Sequence, residues 1–205
     1  DKNAFVGEIP NISGMTPVDN LEAYIERKLF TLNTGHATAA YVGRMKGYAT
    51  IEESINDKEI YAIVKEAMQQ SGMGLISKFG FDHDKHFAYI EKILHRFENP
   101  YLKDDVTRIG REPLRKLAAN DRLIMPMLTA KSYGLPYDKL LLSIGAALHF
   151  NNPEDPQSVE MMKNIADLGL EAAVSKFTGF QANDPMIDEI AAAYRKVEKL
   201  FPAMA

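Results

Sequence analysis

The sequence predicts an all-α domain, and three features carry the prediction. Apolar residues recur at helical spacing through most of the chain from Val18 onward. No stretch alternates apolar and polar residues at a period of two. Candidate helices are bracketed by capping residues, by prolines suited to a first turn and by glycines suited to a last one.

Taken in order, residues 1–17 carry two Pro and two Gly with no sustained period, and read as an extended lead-in. From Val18 a helical pattern runs to about Gly43, with Asp19 or Asn20 as cap; Gly35 weakens its middle by about 1 kcal/mol relative to Ala. Thr50-Ile51-Glu52-Glu53 has the spacing of a capping box, and Ile60, Val64, Ala67 and Met68 then form a stripe that Gly72 can end. A helix should follow Asp82, with Phe87, Ile90, Leu94 and Phe97 inward, and stop before Pro100. Turns dominate from Asn99 to Pro113, and Pro113 opens a short helix through Leu117. Further helices are expected over 121–132, 137–150, 156–168, 170–176 and 185–201. There is no internal repeat and no low-complexity tract.

At 205 residues the chain suits one sizeable core or one large domain of a bigger enzyme, and its opening at Asp1 without an initiator Met predicts a trimmed piece of a longer protein. A net charge of −4 argues against a nucleic-acid surface, although local basic clusters can still hold a small phosphate. The absence of Cys excludes disulfides and thiolate chemistry. No window approaches the roughly 20 apolar residues of a membrane span, so the expected compartment is the cytoplasm, with no membrane partner.

Chemistry concentrates in Lys28, Asn33 and His36. On a helix, with Lys28 at zero, His36 falls near 80° and Asn33 near 140°, so all three share one sector over about 12 Å of rise and can look into one cleft. Flanking Tyr24 and Leu29 lead us to expect a partly desolvated Lys28 ammonium, which lowers a lysine pKa toward the range useful in a base. On spacing alone, such residues are more often a solvated or internally satisfied polar face than a catalytic set.

Lys28, Asn33 and His36 match residue for residue the K-x-x-x-x-N-x-x-H motif of the polyol-specific long-chain dehydrogenases, which this chain resembles. The stretches Glu26–Phe30, Leu32–His36, Arg96–Pro100 and Gly110–Leu117 resemble its mannitol-1-phosphate 5-dehydrogenase branch, and the similarity runs from Phe5 to about Tyr194. Where the non-phosphorylated mannitol dehydrogenases carry a Glu three residues before the Lys, this chain has Ile25. The resemblance implies a multi-helical domain like the C-terminal domain of 6-phosphogluconate dehydrogenase. It also implies Lys28 as general base, Asn33 as support for a developing oxyanion, His36 as an orienting group, and NAD as cofactor.

A dinucleotide site normally shows G-x-G-x-x-G between a strand and a helix. Here Gly72-Met73-Gly74 is the only G-x-G, without a third Gly or a preceding strand. The expected division is therefore a lead-in, residues 1–17, arriving from an N-terminal Rossmann domain outside this chain, and a helical catalytic domain, 18–205, that holds a small sugar or polyol phosphate.

For that phosphate the candidates are Arg111, then Arg115 and Lys116, with Arg108 and Arg122 weaker. A solvated surface paired to Asp104, Asp105 and Glu112 is the competing account. Asp82-His83-Asp84-Lys85-His86 superficially suggests a metal cluster, but its position at a helix start favours capping, so no metal is expected. The rival functions are a reductase of unphosphorylated polyols or sugar acids, of tagaturonate or mannonate type, and a non-catalytic helical binding module.

Overall fold

The computed structural model describes residues 1–202; residues 203–205 of the expected helical unit lie outside them. Twelve α-helices are present among the described residues, with no strand. Among the described residues the one β-like contact is an isolated bridge between Thr50 and Asp105.

The helices are α1 (Leu21–Arg27), α2 (Thr34–Met45), α3 (Ile51–Asn56), α4 (Lys58–Phe79), α5 (His83–Phe97), α6 (Val106–Gly110), α7 (Pro113–Lys116), α8 (Ile124–Ser132), α9 (Asp138–Leu148), α10 (Pro156–Leu168), α11 (Leu170–Thr178) and α12 (Pro185–Leu200). Most starts follow the expected chemistry. Asn20 accepts from Ala23 N, Thr50 and Glu53 form the reciprocal capping box, and Asp82 accepts from Lys85 N. Proline occupies the first turn of α7, α10 and α12.

Three central helices carry the core. In α2, every residue from Ala37 to Gly43 is buried, and in α9 every residue from Leu142 to Leu148 is. A helix apolar around its circumference has to be enclosed by neighbours. The longest, α4, supplies Ile60, Val64, Ala67, Met68 and Leu75 between α2, α8 and α9.

The structure differs from the sequence reading in definite places. Gly72 does not end α4; the helix continues to Phe79 and closes on Gly80 in the left-handed conformation, φ 69°. Instead Gly72 makes room for His86, since a Cβ there would lie 2.9 Å from the imidazole Nε2. The turn-rich region before Pro113 contains α6, and α8 begins at Ile124 instead of Asp121. Phe87 is only half-buried and stacks on His83, with centroids 4.2 Å apart. The lead-in is exposed almost throughout, with Val6 and Ile12 open to solvent, and so are Leu21, Tyr24 and Ile25 on α1.

Gly145 lets α9 and α12 approach closely: a Cβ there would sit 2.8 Å from the backbone carbonyl of Ala193. Backbone cannot swing aside, so Gly145→Ala should destabilise the fold by about 1–3 kcal/mol in urea denaturation. A gain of about 1 kcal/mol, the usual result at an uncrowded helical glycine, would contradict this packing.

Candidate active site

The sequence from Leu21 to Met45 forms one rod, but its middle, Lys28–Asn33, is a π turn. Hydrogen bonding at i→i+5 brings residues five apart closer to alignment than the roughly 140° separating them on an α-helix. Its inner residues are held from behind. Ser71 Oγ on α4 donates to the Phe30 carbonyl at 2.5 Å, and Thr31 Oγ1 lies 3.4 Å from His86 Nε2. One turn on, Thr34 Oγ1 donates to the Arg122 carbonyl at 2.7 Å, and Thr38 Oγ1 lies 2.9 Å from Ser143 Oγ. These three threonines are fully buried, and Gly35 lets the rod approach α4 so closely that a Cβ would strike Met68 Sδ.

The outer side of the rod opens on a cleft of about 150 Å³ lined by Asn33, His36, Arg108, Arg111, Arg115, Lys116 and Arg122. The structure thus brings two of the three motif residues together with every cation singled out in the sequence. Lys28 is not in the lining: its side chain is exposed, on the face of the rod that also shows Tyr24 and Ile25. The expected desolvation of its ammonium is not found, because Lys28 stands open to solvent among the described residues.

Arg111 and Arg115 converge because the chain turns sharply between α6 and α7. Glu112 adopts φ 57°, a left-handed conformation uncommon for a residue with a Cβ. Buried Asp155 accepts from Glu112 N at 2.7 Å, Tyr41 Oη donates to the Gly110 carbonyl at 2.8 Å, and Gln157 Oε1 accepts from Arg115 N at 3.0 Å. Gly110 is needed because a Cβ would meet the Phe150 ring at 2.6 Å. Neither Tyr41 nor Asp155 stood out in the sequence, since both support the turn from distant helices.

Carboxylates engage some of the cations. Arg115 Nε lies 2.8 Å from Glu112, Arg122 Nε 2.7 Å from Asp121, and Arg108 pairs with Asp104. Asp105 caps α6 and joins no ion pair among the described residues. Arg111 is exposed and has no carboxylate within ion-pair distance among the described residues. Lys116 is only 3% exposed; its Nζ donates to the Arg111 carbonyl, and burial, with Arg115 and Arg122 nearby, lowers its pKa to about 8. A cluster of this sign, with one cation buried, favours an anionic occupant.

His36 stacks on Phe97 at 4.9 Å, with Nε2 3.0 Å from Asp104 Oδ2 but off the line of a well-formed hydrogen bond. Burial outweighs the Asp104 charge and lowers its pKa to about 4, so the imidazole is neutral at pH 7. His86 is likewise lowered to about 4, by burial first and then by Arg27. His149 is half-buried and bonded to the Tyr194 carbonyl, whereas His95 is exposed beside Glu98.

The two depressed histidines set a pH dependence. Each is neutral when folded and charges near 6.5 when unfolded, so the stability they contribute is complete above about pH 6.5 and is lost as pH falls toward 4. Each should remove roughly 1 kcal/mol per pH unit within that window, visible in urea midpoints. A fold equally stable at pH 6.5 and pH 4.5 would place these rings in contact with water.

Comparison with known proteins agrees with this architecture. The structure of Pseudomonas fluorescens mannitol 2-dehydrogenase, in a ternary complex with NAD and D-mannitol, superposes with a TM-score of 0.67 at 20% identity, covering 89% of this chain and 39% of that one. A D-sorbitol dehydrogenase in substrate-free form gives a TM-score of 0.68 at 16% identity, covering 89% of this chain and 40% of its own. The chain therefore spans about two fifths of the length of these enzymes. Residues 20–198 match the family described as the mannitol dehydrogenase C-terminal domain, and this chain belongs to that family.

Proposed function

We propose that this chain is the substrate-side domain of an NAD-dependent oxidoreductase interconverting D-mannitol 1-phosphate and D-fructose 6-phosphate. The observation that carries the reading is the cleft itself, in which Asn33 and His36 face a group of cations that includes buried Lys116 and Arg111, which has no carboxylate partner among the described residues. A neutral polyol has no need of so much positive charge, whereas a phosphate dianion does. An enzyme of unphosphorylated polyols shares Lys28, Asn33 and His36 and differs from this reading in the demand on Arg111, whereas a sugar acid brings a carboxylate that suits the same cations.

No strand precedes a glycine-rich helix start among the described residues, so the pyrophosphate of NAD is assigned to an N-terminal Rossmann half. That half would cover the exposed face bearing Leu21, Ile25 and Lys28, reached through the lead-in. Accepting or delivering hydride is the cofactor's part. This chain handles the oxygen: Lys28, outside the cleft lining, meets the substrate at the face that the Rossmann half closes, and there takes the alcohol proton in oxidation and returns it in reduction. Asn33 donates its amide to the oxygen as charge develops, worth about 3 kcal/mol in a dry site. Neutral His36 holds a neighbouring hydroxyl, and Arg111, Arg115, Lys116 and Arg108 grip the phosphate.

Lys116 competes for the role of base, since it is buried in the cleft with a pKa near 8. Single variants of the complete enzyme separate the two lysines. Lys28→Ala should lower kcat by about 10²–10⁴ with NAD affinity nearly intact, while Lys116→Ala should act chiefly on KM for fructose 6-phosphate. A Lys116→Ala variant that loses more kcat than Lys28→Ala would reassign the base. Arg111→Ala should raise KM for fructose 6-phosphate and leave weak activity on fructose little changed; equal losses on both would favour the unphosphorylated substrate.

A further inference from the structure

A second cleft, of about 250 Å³, lies behind the rod between α1 and the start of α5, lined by Tyr24, Arg27, Gly80, Phe81, Asp82, Lys85 and His86. It is below the roughly 300–1,000 Å³ of clefts for drug-sized ligands. It is separate from the polyol cleft, with no lining residue in common.

Two polar atoms in its walls are buried without a hydrogen-bond partner: Arg27 Nε and His86 Nδ1. His86 is only 1% exposed, and its other ring nitrogen already meets Thr31 Oγ1 at 3.4 Å. Arg27 has no carboxylate within ion-pair distance among the described residues; Glu26 next to it is taken by Lys78. Its guanidinium carbon lies 4.2 Å from the Tyr89 ring centroid and 5.6 Å from that of Phe81. With rings against its faces, a guanidinium presents its donors at the edge, in one plane. Tyr24 meets Phe81 edge-to-face at 5.7 Å and extends the apolar wall. Asp82 is the one acidic residue in the lining, and its carboxylate is occupied by Lys85 N at 2.8 Å as the cap of α5, so Arg27 and Lys85 leave the cleft with a positive excess.

We propose that this cleft binds a small organic carboxylate with a flat apolar body, held by the edge of Arg27 and by His86 Nδ1 and packed against Tyr24 and Phe81. A planar carboxylate supplies in-plane acceptors for two N–H donors, which buried donors require. In the bound state Thr31 donates to Nε2 of a neutral His86, and the ring proton sits on Nδ1 facing the ligand.

The test is a titration of this chain with sodium benzoate, followed by the histidine ring nitrogens in ¹⁵N NMR. The His86 Nδ1 signal should shift saturably with a dissociation constant of about 1 mM or tighter. Arg27→Gln should weaken binding about tenfold or more, and Lys85→Gln, at an exposed position that does not threaten the fold, by a smaller factor. Arg111→Ala should leave benzoate affinity unchanged, which keeps this result independent of the polyol-phosphate reading, and inorganic phosphate should not displace benzoate. The absence of a saturable shift at His86, affinity untouched by both Arg27→Gln and Lys85→Gln, loss of binding in Arg111→Ala, or displacement by phosphate would each overturn the proposal.

Discussion

The buried hydrogen bond from Ser71 to the Phe30 carbonyl is the contact on which the geometry of the cleft depends. A side chain that takes up a main-chain carbonyl within a helix is one of the few ways the regular ladder is interrupted. Here the interruption is a π turn spanning Lys28 to Asn33, and it sets the rotation at which Asn33 and His36 leave the rod. Thr31, Thr34 and Thr38 pin the same face to α5, the Arg122 loop and α9. The rod is consequently fixed on its inner side by polar contacts in a largely apolar core, where leaving a donor or acceptor unpaired would cost about 1–3 kcal/mol each.

The opposite wall obeys the same logic with charge in place of periodicity. Arg111, Arg115 and Lys116 are held together by a left-handed Glu112 that Asp155 anchors, although cations this close repel one another. Burial, and then the guanidiniums of Arg115 and Arg122, lower the pKa of Lys116 to about 8. The bridge at Thr50 and Asp105 ties this wall back toward α3: Ile51 N donates to the Asp104 carbonyl at 2.8 Å, which places the carboxylate that meets His36.

The helical class was legible because the signals were local. Asn20, the Thr50 box, Asp82 and the first-turn prolines announce helix starts within four residues of sequence. The π turn was not legible, since the side chain that meets its Phe30 carbonyl, Ser71, lies on another helix and no residue within 28–33 announces it. Gly72 misled for a related reason: a glycine that admits His86 looks like one that ends a helix. The cations were found by their density, but the burial of Lys116 and the exposure of Lys28 depend on which elements cover them. Tyr41 and Asp155, buried supports of the cleft, carry no local signature of that task.

The most direct measurement is a high-resolution crystal structure of Ser71→Ala. If the Phe30 carbonyl is what sustains the π turn, residues 28–33 should relax toward α-helical register and Asn33 should rotate out of the cleft beside His36. A variant that keeps the π turn and the position of Asn33 unchanged would show that the turn is intrinsic to its own sequence, and would contradict the account.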